Sequence, residues 1–535
     1  MTPETTAHQR SRALGAGRHA RRVALLASLL AVMVAPAASG DDGIRADART
    51  LFDTHCSACH GTDRLGGIGP ALLPENLGRL SEDDAHAAIA DGLPATQMPA
   101  FGDMLDEQEV ASLVEYIYTP LEHVPEWRLA EIADSHLVHV EDTTALSDQP
   151  RFDADPENIF LVVETGDHHV TVLDGDSFEP IHRFKSRHAL HGGPKYSPDG
   201  RYVFLASRDG WISRFDLYNL RVTHEIRAGI NTRNLALSGD GRYVLVGNYL
   251  PHTLVVLDAN DLQPLQRIPV RDQSGESSSR VSAVYQAAPR GSFIAALRDV
   301  PEIWELFYDP ANTPDGAEPV AGAEGNTGFA VRRILLDDPM DDFFFDPDYR
   351  RLLGAARDAG RSVAVDLDAG TEIGSVPIDG MPHLASGITW EYQGRTVMAT
   401  PHLREAAVSV VDMDSWEVIR RIETAGPGFF LRSHENSRYA WVDVFFGPNR
   451  DLMHVIDKKT LEIVETLRPE EGQTAAHVEF TRDGSHALVS IWEMDGALVV
   501  YDAESLEEVE RLPMRRPSGK YNVSNKIYRS PGTSH

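Results

Sequence analysis

A chain of 535 residues, 42% hydrophobic and 24% charged, is long enough for two or three domains with separate cores and has an ordinary globular composition. Its net charge of −31 excludes nucleic acid and anionic membrane surfaces as natural partners, because like charges repel at long range. Solubility is the plain reading of that acidity, and a docking face for a basic redox partner is the other.

The N-terminus carries Arg18, Arg21 and Arg22, then an apolar run from Val23 to Val34, then Ala35-Pro36-Ala37-Ala38-Ser39-Gly40. That order predicts a secretory signal peptide over 1–40 with an Ala-x-Ala-like cleavage site. The run is too short for a permanent span, an uncleaved anchor being the alternative. The mature chain is therefore expected in the periplasm, with no stable membrane insertion.

Only two cysteines occur, in Cys56-Ser57-Ala58-Cys59-His60. A Cys-x-x-Cys pair alone would suit a redox disulfide. The adjoining histidine points instead to one covalent c-type haem, with both thiols added across the haem vinyl groups and His60 as proximal iron ligand. A sixth ligand is expected downstream. Met98, in the proline-bounded loop Leu93-Pro94-Ala95-Thr96-Gln97-Met98-Pro99, is preferred over Met104 and His86. A helix is expected from Asp106 to Tyr118, with Val110, Leu113, Val114 and Ile117 on its apolar face. This stretch, 42–120, resembles a small all-α class I cytochrome c domain, and a Met/His pair raises the haem potential and suits electron transfer.

A linker over 121–150, with Pro125 and Trp127, leads into a repeat of short strands that each close on aspartate. The aspartates are Asp174, Asp216, Asp258, Asp309, Asp366, Asp412, Asp457 and Asp502, about 45 residues apart. Turns such as Ser197-Pro198-Asp199-Gly200 and Ser238-Gly239-Asp240-Gly241 precede several of them, where Asp-Gly supplies the positive φ of a tight hairpin. About four strands per period is one propeller blade. The expectation is an all-β eight-bladed propeller over 151–535, with seven blades and an irregular insert near 310–345 as the alternative.

A haem c domain followed by such a propeller resembles the cytochrome cd1 group. The resemblance is carried by Leu190-His191-Gly192-Gly193-Pro194-Lys195-Tyr196, Ala206-Ser207-Arg208-Asp209-Gly210, Asn231-Thr232-Arg233-Asn234, Phe430-Leu431-Arg432-Ser433-His434 and Pro517-Ser518-Gly519-Lys520-Tyr521-Asn522-Val523. It implies a non-covalent haem d1-type tetrapyrrole in the propeller's central channel. His191 is then implied as ligand of its iron, with His188 a weaker rival. Arg208, Arg233 and Arg280 would hold its carboxylates by paired hydrogen bonds, Arg187 and Arg432 being lesser candidates.

Two activities occur in the group. One reduces nitrite to nitric oxide, with haem d1 as permanent cofactor. The other desaturates a propionate of dihydro-haem d1 to the acrylate and ends haem d1 biosynthesis. Nitrite protonation is served by two histidines, and aligning the turns of adjacent blades sets Glu391 against His434, so one of the pair looks like glutamate. A single base suffices for desaturation, which favours the second activity with His434 as base. His383, His402 and His477 stay unassigned. The expected partners are dihydro-haem d1, a periplasmic electron acceptor and a cytochrome cd1 nitrite reductase that receives the product. A non-enzymatic haem d1 carrier and a quinone-dependent propeller dehydrogenase are the remaining alternatives.

Overall fold

The computed structural model describes residues 40–529 apart from 68, 79, 94–97 and 379. The body of the expected signal peptide lies outside the described residues. Among those described, no helix is long and apolar enough to cross a membrane.

Helices Gly40–His55, Ser57–His60, Pro74–Leu77, Glu82–Asp91 and Glu107–Tyr118 form the first domain. The last one starts where Asp106 accepts from the N–H groups of Gln108 and Glu109, both at 2.9 Å, while Glu109 accepts from the Asp106 N–H. Val110, Leu113, Val114 and Ile117 then fall on the face buried against Phe52, Leu77 and Phe101. Asp106→Ala should cost about 1 kcal/mol, the usual worth of an N-cap. Urea unfolding followed at the haem c absorption band checks it.

The second domain is eight antiparallel sheets of four or five strands. Blade 1 closes the ring, because Pro517–Asn522 from the far end of the chain pairs with Ile159–Glu164. The repeat of aspartates marks the end of the third strand of each blade, Asp309 lying two residues past Glu302–Phe307. Their carboxylates cap the next turn, as where Asp258 accepts from the Asn260 N–H at 2.8 Å and Asp502 from the Ser505 N–H at 2.7 Å. The device is local, which is why it is periodic in sequence. The irregular stretch is an insertion inside a complete ring of blades. Residues 310–329 leave blade 4 after its third strand, add Glu324–Gly325 to the edge of blade 3, and return as the outer strand Ala330–Leu335.

The connection over 121–150 is a folded strap. It contains the helix Leu129–Asp134, and Leu137–Val138 pairs with the outer strand of blade 2. Ala71 and Leu73 of the first domain, Ile230 and Leu250 of the propeller and Trp127 of the strap share one apolar cluster. Arg227 donates to Leu65 O across the same boundary at 2.5 Å, and Asn231 donates to Glu75 O at 2.8 Å.

Candidate functional site

A cavity of about 2090 Å³ runs between the two domains. On one side it is lined by Cys56, Cys59, His60 and Met98, on the other by residues from around the propeller ring. His60 sits at the end of the short helix that follows Cys56 and donates from Nδ1 to Pro70 O at 2.8 Å. That bond sets the tautomer and leaves Nε2 as the ligating nitrogen, and burial holds the ring neutral by lowering its pKa. Burial, with Cys59 beside it, pushes the Cys56 thiol up to about 11, the reverse of what a thiolate metal ligand or redox nucleophile requires. Met98 is half-buried against the helical core, whereas Met104 is 62% exposed and His86 lies outside the cavity, 3.3 Å from Glu107. The donor set fits a covalently attached haem, which Cys56 and Cys59 would attach and His60 and Met98 would ligate.

On the propeller side His191 donates from Nδ1 to Arg233 O at 2.8 Å. Its Nε2 accepts from Arg208 Nη2 and Arg233 Nη1, each at 3.0 Å. Two guanidinium groups thus meet one imidazole at the cavity, and Nε2 would have to exchange those donors for iron to act as a ligand of a carboxylate-rich macrocycle. Arg280 also lines the cavity, but Asp299 already engages it through Nη2 and Nε, at 2.5 and 3.0 Å to different carboxylate oxygens. Of the lesser candidates, Arg187 is paired with Glu225 at 2.6 Å, and Arg432 is buried outside the cavity lining. His188 packs on His168 at a tilt, with ring centroids 4.7 Å apart, and both line the cavity shared with His60.

His434 does not belong to this site. Its strand, Leu431–Ser433, runs away from the cavity end, where Phe429 and Phe430 sit, and delivers His434 to the opposite end of the blade. There its Nε2 donates to Arg482 O at 3.1 Å and its Nδ1 accepts from the Asn436 N–H at 3.1 Å, so both ring nitrogens are spent on backbone. Glu391, matched to it by the repeat, is likewise at the far end of its blade, in the strand Ile388–Tyr392, exposed and accepting from Thr396. The comparison of these two residues therefore reports on turn chemistry and says nothing about the reaction. His434→Ala should leave turnover within about threefold of the parent protein, as for a group that touches no substrate; steady-state conversion assays check it.

Of the three histidines left unassigned by the sequence, the one that faces the cavity is His383. It is 4% exposed, packs on Phe429 at 4.1 Å between centroids and donates from Nδ1 to Phe429 O at 2.6 Å, which leaves Nε2 as the ring's basic nitrogen. Burial, and then the charges of Arg357, Arg233 and Arg432, push its pKa down to about 3, so the imidazole is neutral. His402, held to Ser409 at 2.8 Å, is structural, and His477 is packed behind the wall against Phe430 and Tyr521. Arg298 and Arg357, both on Asp341, were also missed by the sequence reading. The signal for them lay in the repeat. The residue at or just past the end of each blade's second strand faces the cavity, as Arg208, Tyr249, Arg298, Arg357, Phe445 and Trp492 do.

Comparison with known proteins agrees with this arrangement. Residues 154–526 match the family described as cytochrome D1 heme domain, and residues 45–117 match that of the cbb3-type cytochrome c oxidase subunit III. The chain belongs to the cytochrome D1 heme domain family. It is 55% identical to a dihydro-heme d1 dehydrogenase of Pseudomonas aeruginosa over 92% of this chain and 96% of that one. A solved structure of dihydro-heme d1 dehydrogenase in complex with DHE superposes with a TM-score of 0.84 at 54% identity, over 90% of this chain and all of that one. A nitrite reductase of Stutzerimonas stutzeri is more distant, 23% identical over 94% of this chain and 96% of its own. The first domain and the eight-bladed propeller found here are thus matched along nearly the whole chain by that dehydrogenase.

Proposed function

We propose that the protein is a dihydro-haem d1 dehydrogenase, which oxidises one propionate side chain of the bound tetrapyrrole to an acrylate and sends the electrons out through haem c. The observation that carries this reading is one neutral, buried imidazole, His383, beside guanidinium groups in a cavity continuous with the haem c pocket. The 55% identity over nearly the full chain to a protein of that name supports it.

The change from –CH2–CH2–COO⁻ to –CH=CH–COO⁻ breaks two C–H bonds and releases two protons and two electrons. Arg298 and Arg357 line the cavity while held on Asp341, and their positive charge beside the propionate carboxylate lowers the cost of burying it. His191 and Arg233 hold the macrocycle. His383 Nε2 accepts a proton from the side chain, a role that requires the neutral imidazole its surroundings enforce. Cys56, Cys59, His60 and Met98 would hold a haem c, which would supply a one-electron outlet for the two electrons released per product. A periplasmic electron acceptor completes the balance, and a cytochrome cd1 nitrite reductase is the natural recipient of the product. Nitrite reduction would need an imidazolium donor at neutral pH, and a histidine held neutral down to about pH 3 does not provide one.

The test is anaerobic addition of dihydro-haem d1 to the purified protein with a one-electron acceptor. Reduction of haem c followed by appearance of the acrylate product is expected. Rapid nitrite turnover without conversion of the added tetrapyrrole would overturn the reading.

A further inference from the structure

The first domain, the strap and the propeller meet at one side chain. Arg227 ends the outer strand Arg221–Arg227 of blade 2 and is 6% exposed. The strap holds it from two directions. Trp127 Nε1 donates to Arg227 O at 2.9 Å, the Arg227 N–H donates to Ser135 Oγ at 2.9 Å, and the guanidinium carbon stands 5.0 Å from the centre of the Trp127 ring. So anchored, the guanidinium reaches both sides of the domain boundary. Its Nε donates to Asp209 O at 3.0 Å and its Nη2 to Leu65 O. Gly66 leaves room for that approach: its φ is +85°, and a Cβ there would lie 2.8 Å from Arg227 Nη2.

Each of the two carbonyls belongs to a segment that carries a redox site. Leu65 precedes Gly66, whose N–H donates to His60 O at 2.8 Å, and the same loop is tied again where the Gly69 N–H donates to Cys59 O at 2.9 Å. Asp209 follows Arg208, which lines the cavity and whose N–H donates to Ala189 O at 3.1 Å, two residues ahead of His191. Covalent and hydrogen bonds therefore run without a break from His60 through Leu65, Arg227, Asp209 and Arg208 to His191. The run does not use His191 Nε2, so ligation of iron by that nitrogen leaves it intact. The nearby contact of Asn231 with Glu75 O is a longer way round, because Glu75 lies five residues beyond Pro70, whose carbonyl is bonded to His60. Electronic coupling decays less steeply through covalent and hydrogen bonds than across a non-bonded gap. A guanidinium also keeps the protons that make both of its bonds.

We propose that Arg227 is the positioning residue for electron transfer between the two domains: it fixes the haem c loop against the wall of the tetrapyrrole pocket and gives electrons a bonded crossing. This rests on the proposed function only in taking haem c as the redox partner of the bound tetrapyrrole. Arg227 does not itself line the cavity, so its replacement should spare tetrapyrrole binding.

The test uses the full chain carrying haem d1, in which the acrylate is already formed, so that electron transfer is read whether or not the protein desaturates a propionate. Haem c is reduced by a light pulse, and absorbance follows one electron from its iron, which becomes ferric, to the iron of haem d1, which becomes ferrous. In Arg227→Met this crossing should slow by about 10- to 10²-fold, the scale on which a small misplacement of reacting groups acts. Arg227→Lys, whose ammonium reaches one carbonyl but not both, should fall in between. The affinity for haem d1 should stay within about threefold of the parent protein in both variants. Without tetrapyrrole, the haem c midpoint potential should fall in Arg227→Met, because a nearby positive charge favours the reduced iron, and should fall less in Arg227→Lys. A crossing within about threefold of the parent rate in Arg227→Met would overturn the proposal. Equal slowing in both variants with an unmoved potential would give Arg227 a structural role alone, and would overturn it too. If Arg227→Met does not fold, Arg227→Lys decides by whether its crossing is slower than that of the parent protein.

Discussion

His383→Ala should lower the rate of propionate desaturation by about 10²–10⁴-fold, the usual loss when a positioned general base is removed. The affinity for dihydro-haem d1 should change by less than about tenfold, because His191 and the arginines would still hold the macrocycle. Anaerobic single-turnover assays with binding titrations separate the two quantities, and the haem c spectrum reports on folding. A rate within about threefold of the parent protein would remove His383 as the base. The same residue gives a pH signature. Its pKa is lowered on folding to about 3, from the ordinary value near 6.5. Below about pH 6.5 the unfolded chain therefore takes up a proton that the folded chain does not. Its contribution to stability is complete above that pH and declines as pH falls towards about 3. Urea unfolding at pH 7 and pH 5 should show this slope, and it should be shallower in His383→Ala.

Cys56→Ser combined with Cys59→Ser should abolish catalytic turnover with any acceptor that docks on the first domain. Without the thioether bonds no haem c is retained, and the two electrons have no outlet even though the base and the arginines are intact. Substrate binding should survive, since the propeller residues that line the cavity do not depend on the cysteines. The visible spectrum of the purified variant and its titration with dihydro-haem d1 check both halves. Continued multiple turnover would mean that electrons leave the tetrapyrrole directly, and would remove haem c from the reaction.

The two predictions rest on residues that were unequally legible. Cys56, Cys59 and His60 act through adjacency along the chain, so five letters identify the haem attachment. The aspartates closing the third strands are equally local, since each caps the turn two or three residues on, and their spacing counts the blades correctly through the insertion at 310–329. His191 and Arg233 could be named because they sit beside motif residues at strand entries.

His434 and Glu391 show where this kind of reading stops. They were aligned on turns, and strand pairing shifts that match by one residue: Val397 pairs with Asp412 as Tyr439 does with Asp457, which sets Trp390, the partner of Val397, at the position of His434. The turn, however, is at the end of the blade away from the cavity. His383, with no motif around it, lies at the end that matters.

By itself the amino-acid sequence determined the covalent haem, the order of the two domains and the eight-fold repeat, because each is written in contacts a few residues long. Only the tertiary structure decided which end of the ring meets the first domain, and so which histidine and which arginines face the substrate. That choice depends on strand direction and on the closure of Pro517–Asn522 against Ile159–Glu164, contacts more than 350 residues apart in the chain. The pKa of His383 was decided at the same level, since burial and three arginines from other parts of the ring produce it.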